Sequence, residues 1–216
     1  MKTNLKVPDK LSEITLGQYQ KYLKIQENNK DPYFLQCKLI EIFCNLDAKS
    51  VRLMRMQDAD RISHIINNMF DKKTQLVRKF TMNDTEYGFI PDLENMTFGE
   101  YIDLDTYIND WKNMHIAMNV LYRPIKTKFG DKYLIKKYNV DGKDKMLNVP
   151  MDVVLGSISF FFRLGMDLSK AMMNYLEKKE TKHLTEYLSS IGNGDGINQF
   201  MRSLEEILRN SKISLN

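Results

Sequence analysis

Two stretches of this chain share one pattern: Ile14-Thr15-Leu16-Gly17-Gln18-Tyr19 and Met96-Thr97-Phe98-Gly99-Glu100-Tyr101. Both run apolar, Thr, apolar, Gly, Gln or Glu, Tyr. The pattern predicts a helix start. Thr15 and Thr97 are the N-caps, and Gln18 and Glu100 sit at the third helical position, where their side chains close a capping box. The apolar residue before each cap and the Tyr after each box form a hydrophobic staple, Ile14 with Tyr19 and Met96 with Tyr101. A motif of this kind specifies architecture and carries no reaction. Outside it the two halves of the chain do not match, so no duplicated domain is inferred.

At 216 residues the chain is long enough for a sizeable core, and 43% apolar with 28% charged residues is ordinary for a folded protein. Five prolines and ten glycines are few. That favours helices over a turn-rich all-β fold. The expected fold is mostly α with small β-hairpins (α+β), a helical body with two inserted hairpins. An extended arm over 1–14 precedes a single mainly helical domain over 15–210, and 211–216 form a loose tail. Cys37 and Cys44 lie on one helix face about 10 Å apart along the axis, too far to bridge, and fit small buried groups in a reducing compartment. No signal peptide is evident at the start, and the longest apolar stretch, Val153 to Phe162, is too short to span a bilayer and ends at Arg163. The expected setting is cytoplasmic, with no membrane partner.

In chain order, the first helix runs from about Leu16 to Glu27. Asp31-Pro32 opens a second, with Asp as cap and Pro where its missing N–H costs nothing. Leu35, Leu39, Ile42 and Phe43 form its apolar stripe. Ser50 is read as the cap of a short turn, and a third helix over about Asp58 to Asp71 buries Ile62, Ile65, Ile66, Met69 and Phe70. The period then changes to alternation. Leu76 to Met82 and Thr85 to Ile90 flank the turn pair Asn83-Asp84, giving a hairpin near 76–90. The helix after Thr97 has a break near Asn109-Asp110 and stops at Tyr122-Arg123-Pro124. A second, Lys-rich hairpin near 125–138 turns at Gly130-Asp131, followed by a loop from Asn139 to Asn148. Pro150 begins the most apolar helix. Two amphipathic helices, about Thr181 to Ser190 and Ile197 to Asn210, close the chain.

The residues offer little for catalysis. Asp103 and Asp105 are two apart on a helix and do not face each other. Gly192-Asn193-Gly194-Asp195-Gly196 lacks the Lys-Ser/Thr of a phosphate loop and follows no strand. It also fails as a calcium loop, because the twelfth position from Asn193 is Leu204 rather than Glu. His64, His115 and His183 have no partner at ligand spacing. The expectation is a protein that is not an enzyme and holds neither cofactor nor metal.

Charge is where the chain is informative. From Asp84 to Asp110 there are acids and no Lys or Arg; from Lys112 to Lys145 basic residues outnumber Asp. Such blocks can attract one face of a protomer to a different face of its neighbour, and they serve equally as two solvated faces that never meet. The candidate contact residues are Glu86, Asp92, Glu94, Glu100, Asp103 and Asp105 on the acidic side and Lys126, Lys128, Lys132, Lys136 and Lys137 on the basic side. The Lys126 to Lys145 stretch also interleaves Lys with Phe129, Tyr133 and Tyr138, a pattern open to nucleic acid binding. A hairpin with Lys outside and aromatics inside explains the same alternation.

Four segments carry a resemblance: Glu13 to Tyr19, Glu86-Tyr87-Gly88-Phe89-Ile90-Pro91-Asp92-Leu93 with Met96 to Leu104, Val120-Leu121-Tyr122-Arg123-Pro124-Ile125, and Pro150 to Gly156. In order and spacing they resemble small virion structural proteins, ring, connector or tail subunits, of short-tailed bacteriophages of the crAss-like kind. The stretch from Phe89 through Thr97-Phe98-Gly99-Glu100 is also similar to tail assembly chaperones. The resemblance implies a non-enzymatic, homo-oligomeric ring subunit of the tail or head–tail connector. Its partners would be itself and other tail or portal proteins, with DNA only passing through. It would sit in the host cytoplasm during assembly and then in the virion. The alternatives are a tail assembly chaperone absent from the mature virion, and a nucleic-acid-binding protein using Lys126 to Lys145.

Overall fold

Both Thr caps do what their spacing dictates, and the helical body is hung from them. In the computed structural model, which describes residues 6–178, Thr15 opens α1 (Leu16–Asn28) with its hydroxyl accepting the Gln18 N–H. Asp31 opens α2 (Pro32–Phe43), accepting the N–H groups of Tyr33 and Phe34. The short α3 (Ala48–Arg52) is capped by Asp47, not by Ser50 as expected: the Asp47 carboxylate takes both the Ser50 N–H (2.9 Å) and its hydroxyl (2.6 Å). A carboxylate is the stronger acceptor at a helix N-terminus. In α4 (Met56–Phe70), Ile62, Ile66, Met69 and Phe70 are buried, while Ile65 is exposed, one position off the stripe, and so is His64.

These helices form the first half of the core. α1 packs on α2, and α2 on both α3 and α4. Tyr19 joins them to the second half, its ring 5.4 Å from Phe70 and 4.9 Å from Trp111. The segment expected as an extended arm is wound into a 3-10 turn at Leu11–Glu13, with Leu11 and Ile14 buried. Its alternating apolar residues are used for packing rather than left in solvent.

The two expected hairpins are present. β1 (Lys79–Met82) pairs with β2 (Thr85–Phe89) around Asn83 and Asp84, whose φ angles of 49° and 56° are the left-handed pair that a tight hairpin needs. β3 (Tyr122–Phe129) pairs with β4 (Lys132–Ile135) around Gly130, at φ 57°. The hairpins are not independent. β2 pairs antiparallel with β3 (Tyr87 with Pro124, Gly88 with Arg123, Phe89 with Tyr122), giving one sheet in the order β1-β2-β3-β4. The architecture is α+β, a helical body carrying this antiparallel sheet.

Between the hairpins run α5 (Phe98–Tyr107) and α6 (Met114–Leu121), separated by a turn at the expected break. α6 runs directly into β3. Tyr122, at that junction, is fully buried and is the point where sheet and helices meet. Its hydroxyl donates to the Val77 carbonyl (2.8 Å) and lies 3.0 Å from Ser157 Oγ, and its ring sits 5.3 Å from both Phe80 and Phe89. The expected loop after β4 is a 3-10 segment, Val140–Asn148, packed on α6.

The last described helix, α7 (Met151–Lys178), buries Met151, Val153, Val154, Leu155, Ile158 and Phe161. Leu164 and Met166 further along are exposed. Gly156 lets α7 approach the backbone at Gln75 and Leu76: a Cβ there would fall 2.2 Å from the Gln75 carbonyl oxygen. The two closing helices, the Gly192 to Gly196 turn and the tail at 211–216 lie outside the described residues. None of the described helices is long and apolar enough to cross a membrane.

Candidate functional site

At the residue level the acidic block divides into groups held inside the protein and groups left on its surface. Glu100 belongs to the first. It is only 4% exposed, so it is removed from the candidate contact residues. One carboxylate oxygen accepts the Thr97 N–H (2.7 Å) and the other the Arg123 guanidinium, while the Thr97 hydroxyl accepts the Glu100 N–H at 3.3 Å. Burial pushes the Glu100 carboxyl upward, but the Thr97 donors and the Arg123 charge outweigh it and hold the group below the ordinary glutamate range. The capping box and a buried ion pair thus share one side chain.

Glu86 pairs with Lys128 across β2 and β3 at the protein surface, and Lys128 remains exposed. Asp103 accepts the Tyr138 hydroxyl at 2.5 Å. Burial, reinforced by that carboxylate, pushes the Tyr138 phenol upward. Asp92 folds its own turn, accepting the Glu94 N–H (3.0 Å) and the Asn95 amide (2.6 Å). The Asn95 amide and the Glu94 N–H together hold its carboxyl below the usual range.

Three contacts therefore tie the acidic block to the basic one: Glu86 to Lys128, Glu100 to Arg123, and Asp103 to Tyr138. The blocks are neighbours in the fold, not opposite sides of it. What stays outside among the acidic candidates is Asp92, Glu94 and Asp105, together with Phe98 (80% exposed), Tyr101 (58%) and Ile102. Phe98, Tyr101, Ile102 and Asp105 follow helical spacing and form one face of α5. On the basic side Lys126, Lys132, Lys136 and Lys137 are exposed, with Phe129 and Leu134 between them.

The β3–β4 hairpin is braced from below. The Tyr133 ring lies over Gly88, where a Cβ would come within 2.4 Å of it, and its hydroxyl donates to the Phe89 carbonyl at 2.8 Å. Tyr133 and Tyr138 are thereby committed to the protein's own backbone and carboxylates, and of the interleaved aromatics Phe129 alone stands free. A cleft of about 890 Å³ opens between this hairpin and the segment after β2. Phe89, Leu93, Phe129 and Leu134 supply its apolar wall, and Asp92, Glu94 and Lys132 line it too. The cleft is mainly apolar, with Arg78, Asp92, Glu94, Asp131 and Lys132 as its charged lining.

Among the described residues no group of three or more His, Cys, Asp or Glu side chains is placed to hold a metal ion. His115 sits 3.4 Å from the Gln20 amide, and burial lowers its proton affinity. Cys37 and Cys44 are both free thiols, and burial pushes Cys44 up to about 11. A thiol so disfavoured as thiolate is a poor nucleophile.

The Glu100–Arg123 pair and the joining of the two hairpins had no local signal in the sequence. The exposure of α5 had one in hindsight: Phe98, Tyr101 and Ile102 stand together at helical spacing beside unpaired acids. Comparison of the chain with protein-family models, with curated proteins and with solved structures finds no match.

Proposed function

We propose that this chain is a non-enzymatic structural subunit of a tailed-bacteriophage virion, forming a ring in the tail or head–tail connector by packing against copies of itself. The observation that supports this reading is the presence of two unlike adhesive surfaces on one protomer. The α5 face offers Phe98, Tyr101 and Ile102 beside Glu94 and Asp105. The β3–β4 hairpin offers Phe129 and Leu134 beside Lys126, Lys132, Lys136 and Lys137. Surfaces that differ in this way suit a head-to-tail contact, and a head-to-tail contact that closes makes a ring. The four segments resembling ring and connector proteins supply the setting.

The rigid bracing of the hairpin by Tyr133 fits a part that must keep its shape when a neighbour docks. Light scattering on the full chain at rising concentration tests the reading. A species several times the protomer mass, dispersed by salt, is expected; a monomer at every concentration would falsify self-association without a template. The tail assembly chaperone reading draws on the same exposed apolar groups. Mass spectrometry of purified particles separates the two, since a chaperone is missing from mature virions.

A further inference from the structure

The chain carries its helix-start motif twice, and only one copy is covered. At the first, the stretch Leu147 to Met151 lies across Thr15. The Leu16 N–H donates to the Val149 carbonyl (2.8 Å), the Met151 N–H donates to the Ile14 carbonyl (2.9 Å), and Thr15 faces Pro150 as an antiparallel bridge. Proline fits the central place because the bridge uses only the groups of its two neighbours. Gly17 makes room: a Cβ there would lie 3.1 Å from the Leu147 carbonyl oxygen. Under this cover Ile14, Leu16 and Tyr19 are all buried.

At the second copy the counterparts are open, apart from the Met96 side chain, which is partly buried against the core. The Met96 carbonyl and the Phe98 N–H have no hydrogen-bond partner among the described residues. Phe98 and Tyr101, the equivalents of Leu16 and Tyr19, are exposed, so the expected staple of Met96 with Tyr101 does not bury its Tyr. A Cβ on Gly99 would meet nothing within 4 Å, so its missing side chain serves no neighbour in the described protein. Beside it Arg123, the partner of Glu100, keeps a buried Nε–H without an acceptor.

We propose that the Met96–Tyr101 helix start is a docking site for an extended, proline-containing apolar segment of another protein, laid across Thr97 as Leu147 to Met151 lies across Thr15. This is strand addition in its shortest form: backbone bonds to Met96 and Phe98, with apolar side chains against Phe98 and Tyr101. The segment comes from a different protein, because this chain's five prolines are all in use. Pro150 fills the first site, Pro8 is buried, Pro32 begins α2, Pro91 ends β2 beside buried Ile90, and Pro124 pairs with Tyr87. The partner segment is flanked by Lys or Arg, because Asp92, Glu94 and Asp105 are exposed around the site and no Lys or Arg occurs between Asp84 and Asp110.

The test is a titration of the full chain with fluorescent peptides built on Leu-Asn-Val-Pro-Met, one flanked by lysines and one by glutamates. Saturable binding of the lysine form is expected, about tenfold weaker with glutamate flanks, and about tenfold weaker in Gly99→Val at an unchanged melting temperature. The open space around Gly99 is why that variant should fold. Absence of saturable binding overturns the site. Equal binding by wild type and Gly99→Val also overturns it, since the peptide would then sit elsewhere, the first helix start included. A fall in self-association in Gly99→Val makes the occupant a second copy and overturns the assignment to another protein. Phe98 and Tyr101 also belong to the α5 face of the ring proposal, so light scattering is read with and without the peptide. Self-association lost on adding the lysine-flanked peptide assigns this face to a second copy and overturns docking of another protein; self-association left intact supports it.

Discussion

Glu100 shows how much one residue can be asked to do. Its carboxylate caps α5 and balances Arg123, which is itself buried. Removing one member of such a pair strands the other: Arg123→Met should cost about 3–5 kcal/mol in urea unfolding, and adding Glu100→Gln should recover part of it. Thr97→Ala, which removes only the hydroxyl from the box, should cost about 1 kcal/mol. The pair also fixes the sign of an acid response. The folded Glu100 carboxyl stays ionised below its ordinary value of 4.5, where the unfolded chain already takes up the proton. Its contribution is therefore complete above 4.5 and is lost as pH falls through the lower folded value. Glu100→Gln should flatten that part of the stability profile. The capping role was legible because its partners are three residues apart. Arg123 was legible only as one more basic residue, since nothing in Leu121-Tyr122-Arg123-Pro124 says that its charge turns inward.

At the scale of elements, sequence reasoning succeeded for most local determinants, the cap of α3 (Asp47, not Ser50) and the Met96–Tyr101 staple excepted. Asn83-Asp84 and Gly130-Asp131 named their turns, and Asp31-Pro32 named the start of α2. It failed where the choice of partner was distant. The pairing of β2 with β3 and the bridge from Thr15 to Pro150 leave no trace in the periodicity of either segment. The arm before Thr15 was misread for the same reason, because what makes Leu11 and Ile14 core residues lies far along the chain. Glycine contacts give a direct measurement of these long-range approaches. Gly156→Ala would press a methyl group into the Gln75 carbonyl and should destabilise by about 1–3 kcal/mol or more. Gly99→Ala, by contrast, should be neutral or stabilising by up to about 1 kcal/mol, since a helix gains from the lost backbone freedom. Thermal unfolding of the two variants side by side checks both signs.

For the whole molecule, charge is used differently from what a linear count implies. The acidic and basic blocks meet within the chain through the buried Glu100–Arg123 pair, the part-buried Asp103–Tyr138 bond and the surface Glu86–Lys128 pair. Their surplus forms the surface: Asp92 and Glu94 before α5, Asp105 on it, and Lys126, Lys132, Lys136 and Lys137 on and just after the hairpin. Reversing the hairpin with Lys132→Glu and Lys136→Glu should leave the melting temperature within about 1–2 °C, because exposed charges contribute little to stability. The same change should weaken self-association measured by light scattering at low salt, with the difference from wild type vanishing as salt is raised.

The meeting of β2 and β3 has a consequence in time. Each hairpin closes on itself through a two-residue turn and can form within microseconds. The seam from Phe89 to Tyr122 must wait until α5 and α6 have folded back, since the whole of both helices lies between those residues. Chain entropy is spent closing that loop before any seam contact repays it. By loop length the Phe89–Tyr122 seam should therefore form after either hairpin, and the Thr15–Pro150 bridge, which closes a far longer loop, later still.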